Sequence, residues 1–303
     1  MHRNTDQRVH AVASRSTERA AAFAATHGIP RSYGSYDQLV ADPDIDVVYV
    51  AAPHSEHRAL ALLAIAAGKH VLIEKPIALN AAEAIEIADA ARSAGVFAME
   101  AMWTRYLPQS DVVAQLLHDG TLGDIKLVAV NLGWQFPYDP TSRGFDPALG
   151  GGAMLDAGVY SLWFSQFVLG APSRVVASGI LAPTGVDAQA IATLGFDNAA
   201  QSTITTSFLI STPGGASIHG TDASIRYDAD FVFPAPFVLS SKAGDLTWRD
   251  ESGLTGRDGL AWEAVALAQL VSDGRTESPV HSLDDSISLM RTIDEVRSQL
   301  GAR

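Results

Sequence analysis

The sequence predicts an α/β fold in two parts: an incomplete parallel sheet with helices, then an α+β domain with a mostly antiparallel sheet. Two observations lead to this prediction. In residues 1–102, short β-branched runs alternate with Ala-rich segments of helical length, the pattern of βαβ units. In residues 103–303, several strands follow one another with turn signals between them. We therefore divide the chain into domains 1–102 and 103–303.

In the first domain, strands and helices alternate. Val-rich or β-branched runs predict strands at 9–13, 46–50, 70–73 and 96–99. N-cap residues predict the helices between them, since Ser, Thr, Asp and Asn accept hydrogen bonds from the first turn. These caps are Ser16, Ser35, Ser55 and Asn80, and the helices after Ser16 and Ser55 end at Gly28 and Gly68.

The second domain changes pattern. A helix near 109–118 precedes a strand at 125–131, and a loop rich in aromatic residues, Pro and Gly covers 134–153. Residues 155–169 are expected to be helical. Strands occupy 173–248, and helices at 259–272 and 283–300 close the chain.

Composition limits the class of protein. The chain has 303 residues, of which 47% are hydrophobic and 18% charged, as in a globular protein with a large core. The longest apolar run, 59–67, is about half of the length that a membrane helix needs. A net charge of −13 disfavours nucleic acid as a partner, and the chain contains no cysteine. With no export signal, we expect a cytoplasmic protein without a membrane or nucleic-acid partner.

A phosphate-binding turn is missing from the parallel part. No G-x-G-x-x-G follows a strand, and the glycines at 150–152 lie in the second domain after a loop. Eight residues precede Val9 and reach roughly 28 Å at most, too few for a strand and a helix. The sheet therefore begins at what would be its second strand.

Polar residues follow the first two long strands. Ser14, Arg15 and Ser16 stand where dinucleotide folds place an acid for a ribose hydroxyl or an Arg for a 2′-phosphate. The alternative is an exposed Arg beside an N-cap Ser. Pro53, His54 and His57 follow the second long strand. They contact a ligand in the crevice, or the two histidines are ordinary surface residues. No third ligand is evident, so we expect no metal.

The next strand ends in an unusual way, with Glu74, Lys75 and Pro76 between two apolar runs. Lys75 would lie at the edge of the crevice, and a cis bond before Pro76 would turn it inward. The alternative is a strand-end Lys paired with Glu74.

Two further groups come from the second domain. Asp156 and Tyr160 are four residues apart and share a face if the segment is helical, so a carboxylate and a phenol could act as an acid/base pair; they could also be an N-cap and ordinary packing. Several aromatic and Arg residues near the domain junction could line a pocket for an apolar or ring-shaped substrate, or they could form interdomain core. They are Trp103, Arg105, Tyr106, Trp134, Phe136, Tyr138, Arg143 and Phe145.

These stretches together resemble the Gfo/Idh/MocA family of NAD(P)-dependent oxidoreductases. The resemblance rests on RVHAVASRS, DIDVVYVAAPHSEH, AGKHVLIEKPIALN, EAMWTRYLP and FDPALGGGAMLDAGVY, which span nearly the whole chain. EKP after a strand together with D-x-x-x-Y in the second domain is quite specific. The motif EAMWTRYLP and the Tyr at position 160 are most similar to those of the branch that contains dihydrodiol dehydrogenase, xylose dehydrogenase and glucose–fructose oxidoreductase.

The resemblance implies a Rossmann-type domain over 1–102 and a domain for substrate binding and oligomerisation over 103–303. It implies catalytic roles for Lys75, Asp156 and Tyr160. In the oxidising direction Tyr160 would take the substrate hydroxyl proton, with Lys75 as the alternative base. Lys75 would favour the phenolate of Tyr160. Implied cofactor contacts are Ser14, Arg15, Ser16, Pro53, His54, His57, Glu74, Lys75 and Pro76, with NADP preferred to NAD; implied substrate contacts are Trp103, Arg105, Arg143, Asp156 and Tyr160.

Two expectations remain open at this point. The family begins with a strand and a G-x-G-x-x-A/G turn, so either about 30 residues precede this sequence or the sheet lacks a strand. The first function that we infer is a hydride transfer between NADP(H) and the CH–OH group of a sugar, polyol or trans-dihydrodiol. The alternative is a truncated or non-catalytic member that senses a sugar or nucleotide. The open-faced second sheet typical of the family implies a homodimer or higher homo-oligomer.

Overall fold

The predicted alternation of strands and helices is observed in the first domain. The computed structural model describes residues 4–303, so the first three residues of the predicted first domain lie outside it. Its elements, in chain order, are β1 (Ala11–Ala13), α1 (Thr17–His27), β2 (Arg31–Tyr33), α2 (Tyr36–Val40), β3 (Val47–Val50), α3 (His57–Ala66), β4 (His70–Glu74), α4 (Ala81–Ala94) and β5 (Ala98–Ala101).

The predicted caps explain where these helices begin and end. Ser16, Ser35 and Asn80 each accept a hydrogen bond from the first turn of the helix that follows. Gly28 ends α1 in the left-handed conformation, with φ of 65°. The predicted helix start at Ser55 is wrong, because residues His54–Glu56 form a short 3₁₀ turn before α3 begins.

Two strand predictions are corrected. β2 was not predicted, because its three residues (RSY) carry no apolar pattern. The strand expected at 96–99 lies two residues later, as β5, because the chain leaves α4 through a left-handed Gly95.

The parallel strands form two sheets within the described residues. β1 pairs with β2, and β3, β4 and β5 form a three-stranded sheet in that order. No hydrogen-bonded ladder joins β1 to β3 in residues 4–303. The carboxyl ends of β3, β4 and β5 meet at one edge, which carries the crevice of such folds.

The second domain confirms the predicted α+β arrangement. It consists of α5 (Pro108–His118), β6 (Ile125–Gly133), α6 (Val159–Leu169), β7 (Arg174–Leu181), β8 (Asp187–Gly195), β9 (Gln201–Ser207), β10 (Ala216–Gly220), β11 (Ala223–Tyr227), β12 (Phe237–Ser241), β13 (Gly244–Trp248), α7 (Leu260–Ser272) and α8 (Leu283–Leu300).

Eight of these strands form one sheet in the order β13-β12-β11-β10-β6-β9-β8-β7. Every neighbouring pair is antiparallel except β6 and β9. One face is buried beneath α6 and α8, and alternate residues of the other face are exposed, as strand periodicity requires.

The two C-terminal helices tie the domains together. α7 packs on the three-stranded sheet, where Leu267 joins a cluster with Leu72, Phe97 and Met99. α8 packs on α4 and on β7. Among the described residues, no helix has the length and apolar content needed to cross a membrane.

The segment before α6 is tightly constrained. Gly150 and Gly152 have positive φ, and a Cβ at Gly152 would lie 2.5 Å from Oδ1 of Asp187. The Oδ2 atom of Asp187 accepts a 2.6 Å hydrogen bond from the Met154 backbone N–H. Asp187 in β8 therefore caps the turn Met154–Gly158, which is π-helical rather than α-helical.

We predict that Asp187 makes the stability of the protein depend on pH. Burial raises the pKa of Asp187 to about 6 from its usual value of 3.8. The folded state then holds this proton over a range in which the unfolded chain has lost it, so stability falls as pH rises from 4 to 7. Relative to Asp187→Asn, wild-type unfolding free energy should fall by on the order of 3 kcal/mol over this range.

Urea unfolding of both proteins at several pH values measures this difference. Asn keeps a side-chain oxygen that can accept from Met154 but does not titrate, so other groups cancel in the comparison. A difference that stays constant from pH 4 to 7 would contradict the prediction.

Candidate active site

Lys75 reaches across the domain junction to Asp156. It follows β4 directly, and the Lys75–Pro76 bond is cis. Its Nζ atom donates to Oδ1 of Asp156 at 2.8 Å and to the Asp156 carbonyl. Both side chains are largely buried, with 11% of Lys75 and 7% of Asp156 exposed. The alternative pairing of the Lys75 ammonium with Glu74 is not observed; Glu74 accepts from the Lys75 backbone N–H instead.

Arg143 supplies a second positive charge to the same carboxylate. Its Nη1 atom lies 3.1 Å from Oδ1 of Asp156, and 60% of its side chain is exposed. Burial opposes the charged form of Asp156, but Lys75 and Arg143 outweigh it and hold the pKa well below its usual range. Asp156 is therefore a carboxylate that orients two cations.

Tyr160 lies beside this ion pair, on α6. Its hydroxyl oxygen accepts a 2.9 Å hydrogen bond from Nε1 of Trp103, and Nζ of Lys75 lies 4.9 Å from the centre of its ring. Burial, followed by the charge of Glu74, raises the pKa of Tyr160 well above 10. Burial keeps the phenol protonated although the ammonium lies near its ring, so the phenolate expected beside Lys75 is not the favoured form in this structure.

Aromatic side chains surround Tyr160. The ring of Trp134 lies edge-on to Tyr160 at 6.3 Å, and Phe233 lies edge-on to Trp103 at 5.5 Å. Phe233 belongs to the loop between β11 and β12 and was not singled out by the sequence. Because Phe233 lies in a Pro-containing loop far from Trp103 in the sequence, no local pattern indicates that the two rings are in contact.

The other predicted aromatic residues do not reach Tyr160. Phe136 and Phe145 pack around Phe208, and Tyr138 packs on Phe145. The hydroxyl of Tyr106 donates to Ser278 in the core. These rings support the loop and the interdomain packing.

Arg105 is also held elsewhere. Its guanidinium donates to the Val280 carbonyl and to Asp111, and it lies 5.2 Å from the ring of Phe167. Since these contacts occupy a side chain that is buried, the structure does not bring Arg105 to the Lys75–Asp156 pair.

The two histidines after β3 differ in their surroundings. Together with Arg143, His54 lines a cleft of about 260 Å³ whose other walls are Ala51, Ala52, Pro53 and Leu149. Burial, and then the charge of Lys75, lowers the pKa of His54 to about 4. The neutral ring donates from Nδ1 to the Gly150 carbonyl at 2.9 Å, which leaves Nε2 as an acceptor.

His57 does not line the cleft. Its ring is fully buried, with Nδ1 2.8 Å from the Pro76 carbonyl and Nε2 3.0 Å from the Ala52 carbonyl. His57 therefore holds the turn after β4 against the segment after β3.

The residues after β1 lie at the same kind of strand end. Ser16 is occupied as the N-cap of α1, where it also donates to Glu18. Arg15 is exposed, and Ser14 is half-buried. The structure does not bring these three residues into contact with Lys75.

Sequence reasoning missed an acidic residue beside the site. Glu263 of α7 is buried, and its Oε2 has no hydrogen-bond partner among residues 4–303. Burial, with the charges of Glu74 and Glu100, raises the pKa of Glu263 well above 4.5. A single Glu in an otherwise apolar helix does not indicate from the sequence that its side chain is buried beside a site.

These residues fit the nicotinamide end of a dinucleotide. The cleft beside Lys75 is bounded by backbone after β3, a neutral histidine and an exposed Arg, which are groups that suit a polar ring and its ribose. For the pyrophosphate, residues 4–303 offer no G-x-G-x-x-G turn. Three or more potential metal ligands do not converge anywhere in that range.

Comparison with protein families identifies both domains. Residues 1–102 match the oxidoreductase family with an NAD-binding Rossmann fold, Gfo/Idh/MocA, and residues 111–226 match a Gfo/Idh/MocA C-terminal domain. The chain belongs to the Gfo/Idh/MocA oxidoreductase family. It is therefore an NAD(P)-dependent oxidoreductase, and the resemblance found in the sequence is confirmed.

Curated relatives of this family member are dihydrodiol dehydrogenases. Trans-1,2-dihydrobenzene-1,2-diol dehydrogenase of Xenopus tropicalis is 36% identical over 301 residues, which cover 98% of this chain and 91% of the relative. The protein of the same name from Homo sapiens is 34% identical over 302 residues, which cover 98% and 90%.

Solved structures share the fold of this oxidoreductase. Levoglucosan dehydrogenase in complex with NADH and levoglucosan has a TM-score of 0.87 at 22% identity, covering 96% of this chain and 88% of that one. A 3-ketoreductase from Actinomadura kijaniata in complex with NADP and TDP-benzene has a TM-score of 0.83 at 26% identity, covering 96% and 89%.

Proposed function

We propose that this oxidoreductase transfers a hydride between NADP(H) and the CH–OH group of a sugar, a polyol or a trans-dihydrodiol. The observation that carries the proposal is the contact of Lys75, Asp156 and Tyr160 at the carboxyl end of β4, beside the cleft of His54 and Arg143. A non-catalytic member would have no chemical need to bury these three groups together.

Each residue has a distinct task in the proposal. Asp156 holds the Lys75 ammonium at the junction between the two domains. There the positive charge of Lys75 stabilises negative charge on a substrate oxygen. Tyr160 exchanges the proton of the substrate hydroxyl, and the Trp103 N–H stabilises the phenol oxygen as negative charge develops on it. The bound nicotinamide supplies the hydride chemistry.

The substrate class is supported by two observations. The curated relatives are named for a trans-dihydrodiol of benzene, and levoglucosan dehydrogenase is named for a sugar derivative. Trp103 and Trp134 next to Tyr160 offer flat apolar surfaces on which either kind of ring can stack.

The preference for NADP is inferred from the end of β1. Arg15 is exposed there, and no acidic residue occupies the position that would accept from the ribose hydroxyl. We also propose a cytoplasmic location, with which a chain that contains no cysteine is compatible.

A homodimer through the eight-stranded sheet completes the proposal. On its uncovered face, Leu127, Val176, Ile180 and Ile191 are between 37% and 51% exposed. Ile191 pairs with Ser178 of β7 and Thr205 of β9, so these apolar residues lie on a flat polar surface typical of an interface rather than a core.

The first prediction tests the reaction. With NADP⁺ and a panel of a trans-dihydrodiol, an aldose and a polyol, Tyr160→Phe should lower kcat/KM for the best substrate by about 10²- to 10⁴-fold, because it removes the proton-exchanging hydroxyl. Tyr138→Phe removes a hydroxyl from a half-exposed ring outside the site and serves as the matched control. Unchanged rates in Tyr160→Phe would exclude Tyr160, and no turnover by wild-type protein would overturn the function.

The second prediction concerns the cofactor. Arg15→Ala should weaken NADPH binding about tenfold, the loss of one charge-assisted hydrogen bond, and leave NADH binding unchanged. Nicotinamide fluorescence titrations measure both constants, with Arg58→Ala on α3 as the control. If wild-type protein binds NADH as tightly as NADPH, the NADP assignment is wrong.

The third prediction concerns the assembly. Ile191→Asp should convert the oligomer into monomer, because it buries a charge in the interface. Light scattering on a sizing column gives the mass, and Ile210→Asp, which changes an equally exposed loop residue, should leave the mass unchanged. A monomeric wild-type protein would contradict the sheet interface.

A further inference from the structure

The turn that carries Lys75 is held by buried side chains. Nδ1 of His57 lies 2.8 Å from the Pro76 carbonyl oxygen, and the Ile77 N–H donates to Oε1 of Glu100 at 2.9 Å. Pro76 has no N–H, so the Ile77 N–H is the first backbone donor after Lys75. The bond to Glu100 therefore fixes the chain two residues from the ammonium.

Glu100 is itself anchored from the C-terminal part of the chain. It lies on β5 and is 1% exposed. Its Oε2 atom accepts from Nε2 of His281 at 3.0 Å and from Oγ of Ser286 at 2.7 Å. Burial opposes the charge of Glu100, but the bonds from His281, Ser286 and Ile77 outweigh it and lower its pKa. One carboxylate thus connects α8 to the Lys75 turn.

A carboxylate, a histidine and a serine in contact could also be a hydrolytic triad. Here, however, the Ser286 hydroxyl donates to the carboxylate itself, and Ser286, His281 and Glu100 are each less than 5% exposed. A nucleophile must have its oxygen free and accessible to a substrate. The arrangement therefore has no access for catalysis of its own.

The chemical identity of Glu100 also needs a reason. A buried apolar side chain would cost less desolvation than a buried carboxylate. It would, however, leave the Ile77 N–H without an acceptor, at the point where the backbone turns to aim Lys75. The carboxylate of Glu100 therefore stands at the position where an acceptor fixes the backbone that directs Lys75 to Asp156.

We infer that Glu100, held by His281 and Ser286, is a positioning residue that aims Lys75 at Asp156. The inference rests on the proposed function only in that Lys75 belongs to the active site. Glu100 touches no reacting atom and acts through the backbone of the turn. Loss of its acceptor oxygen therefore changes the surroundings of one lysine rather than the whole protein.

The chain is well suited to a direct measurement, since it contains only four lysines: 69, 75, 126 and 242. Acylation by acetic anhydride, followed by peptide mass spectrometry, gives a rate for each. Lys75 should react slowly in wild-type protein because Nζ is bound to Asp156. Lys69, bound to the carbonyls of Asp42 and Ile45, reports on the integrity of the first domain.

Three variants separate positioning from stability. Glu100→Met has similar volume but no acceptor, and it should raise the Lys75 rate about tenfold with no change at Lys69, as expected for loss of a charge-assisted bond. Glu100→Gln keeps an acceptor oxygen for Ile77 and should restore protection of Lys75. Leu289→Ala removes a fully buried apolar side chain of α8 and leaves the hydrogen-bond partners of Glu100 in place, so it should leave the Lys75 rate unchanged.

The outcomes are decisive without enzymatic activity. An unchanged Lys75 rate in Glu100→Met, or equal increases at Lys75 and Lys69, would overturn the inference. If Glu100→Met does not fold, Ser286→Ala is measured instead; a smaller rise at Lys75 alone supports the inference, and no rise overturns it. With substrate, Glu100→Met should lower kcat at unchanged KM. If wild-type protein turns over none of the substrates, the proposed function fails while the labelling still decides the role of Glu100.

Discussion

The buried ion pair between Lys75 and Asp156 is the interaction on which the site depends. Burying either charge alone would cost several kcal/mol of desolvation. Burying both is tolerated only if their geometry is good and if further hydrogen bonds satisfy their remaining donors and acceptors. The pair meets this condition because Asp156 also binds Arg143, and Lys75 also binds the Asp156 carbonyl. Since one partner comes from each domain, the pair also sets how the second domain sits on the carboxyl edge of β4.

Three features of the second domain bring Asp156 to that edge. Gly150 allows the loop to approach the first domain closely, since a Cβ there would lie 2.8 Å from Cβ of His54. Asp187 caps the turn that follows, and Gly152 leaves space for its carboxylate. The turn itself is π-helical, a rare form that frequently occurs at functional sites. The run of glycines therefore serves packing and capping.

Much of this arrangement could be predicted from the sequence. Parallel strands share an edge, so Lys75 and His54 were expected in one crevice, and the i, i+4 spacing predicted Asp156 and Tyr160 on one face if their segment were helical. The partners that hold them could not be predicted. Glu100 contacts Ile77 and also His281, 181 residues further along the chain, and no local pattern marks such a contact. A π turn has no compositional signature either, and an exposed Arg gives no indication of whether it binds a ligand.

The surroundings of Tyr160 keep its phenol protonated. Burial and the charges of Glu74, Asp156 and Glu263 all favour the neutral phenol, and the Trp103 N–H acts in the opposite direction. A phenol that keeps its proton is prepared to donate it to a carbonyl oxygen. To accept a proton in the oxidising direction, it must gain stabilisation as its charge develops. Trp103 is directed at that oxygen in the structure, so its indole contributes a hydrogen bond to proton exchange in addition to an apolar wall.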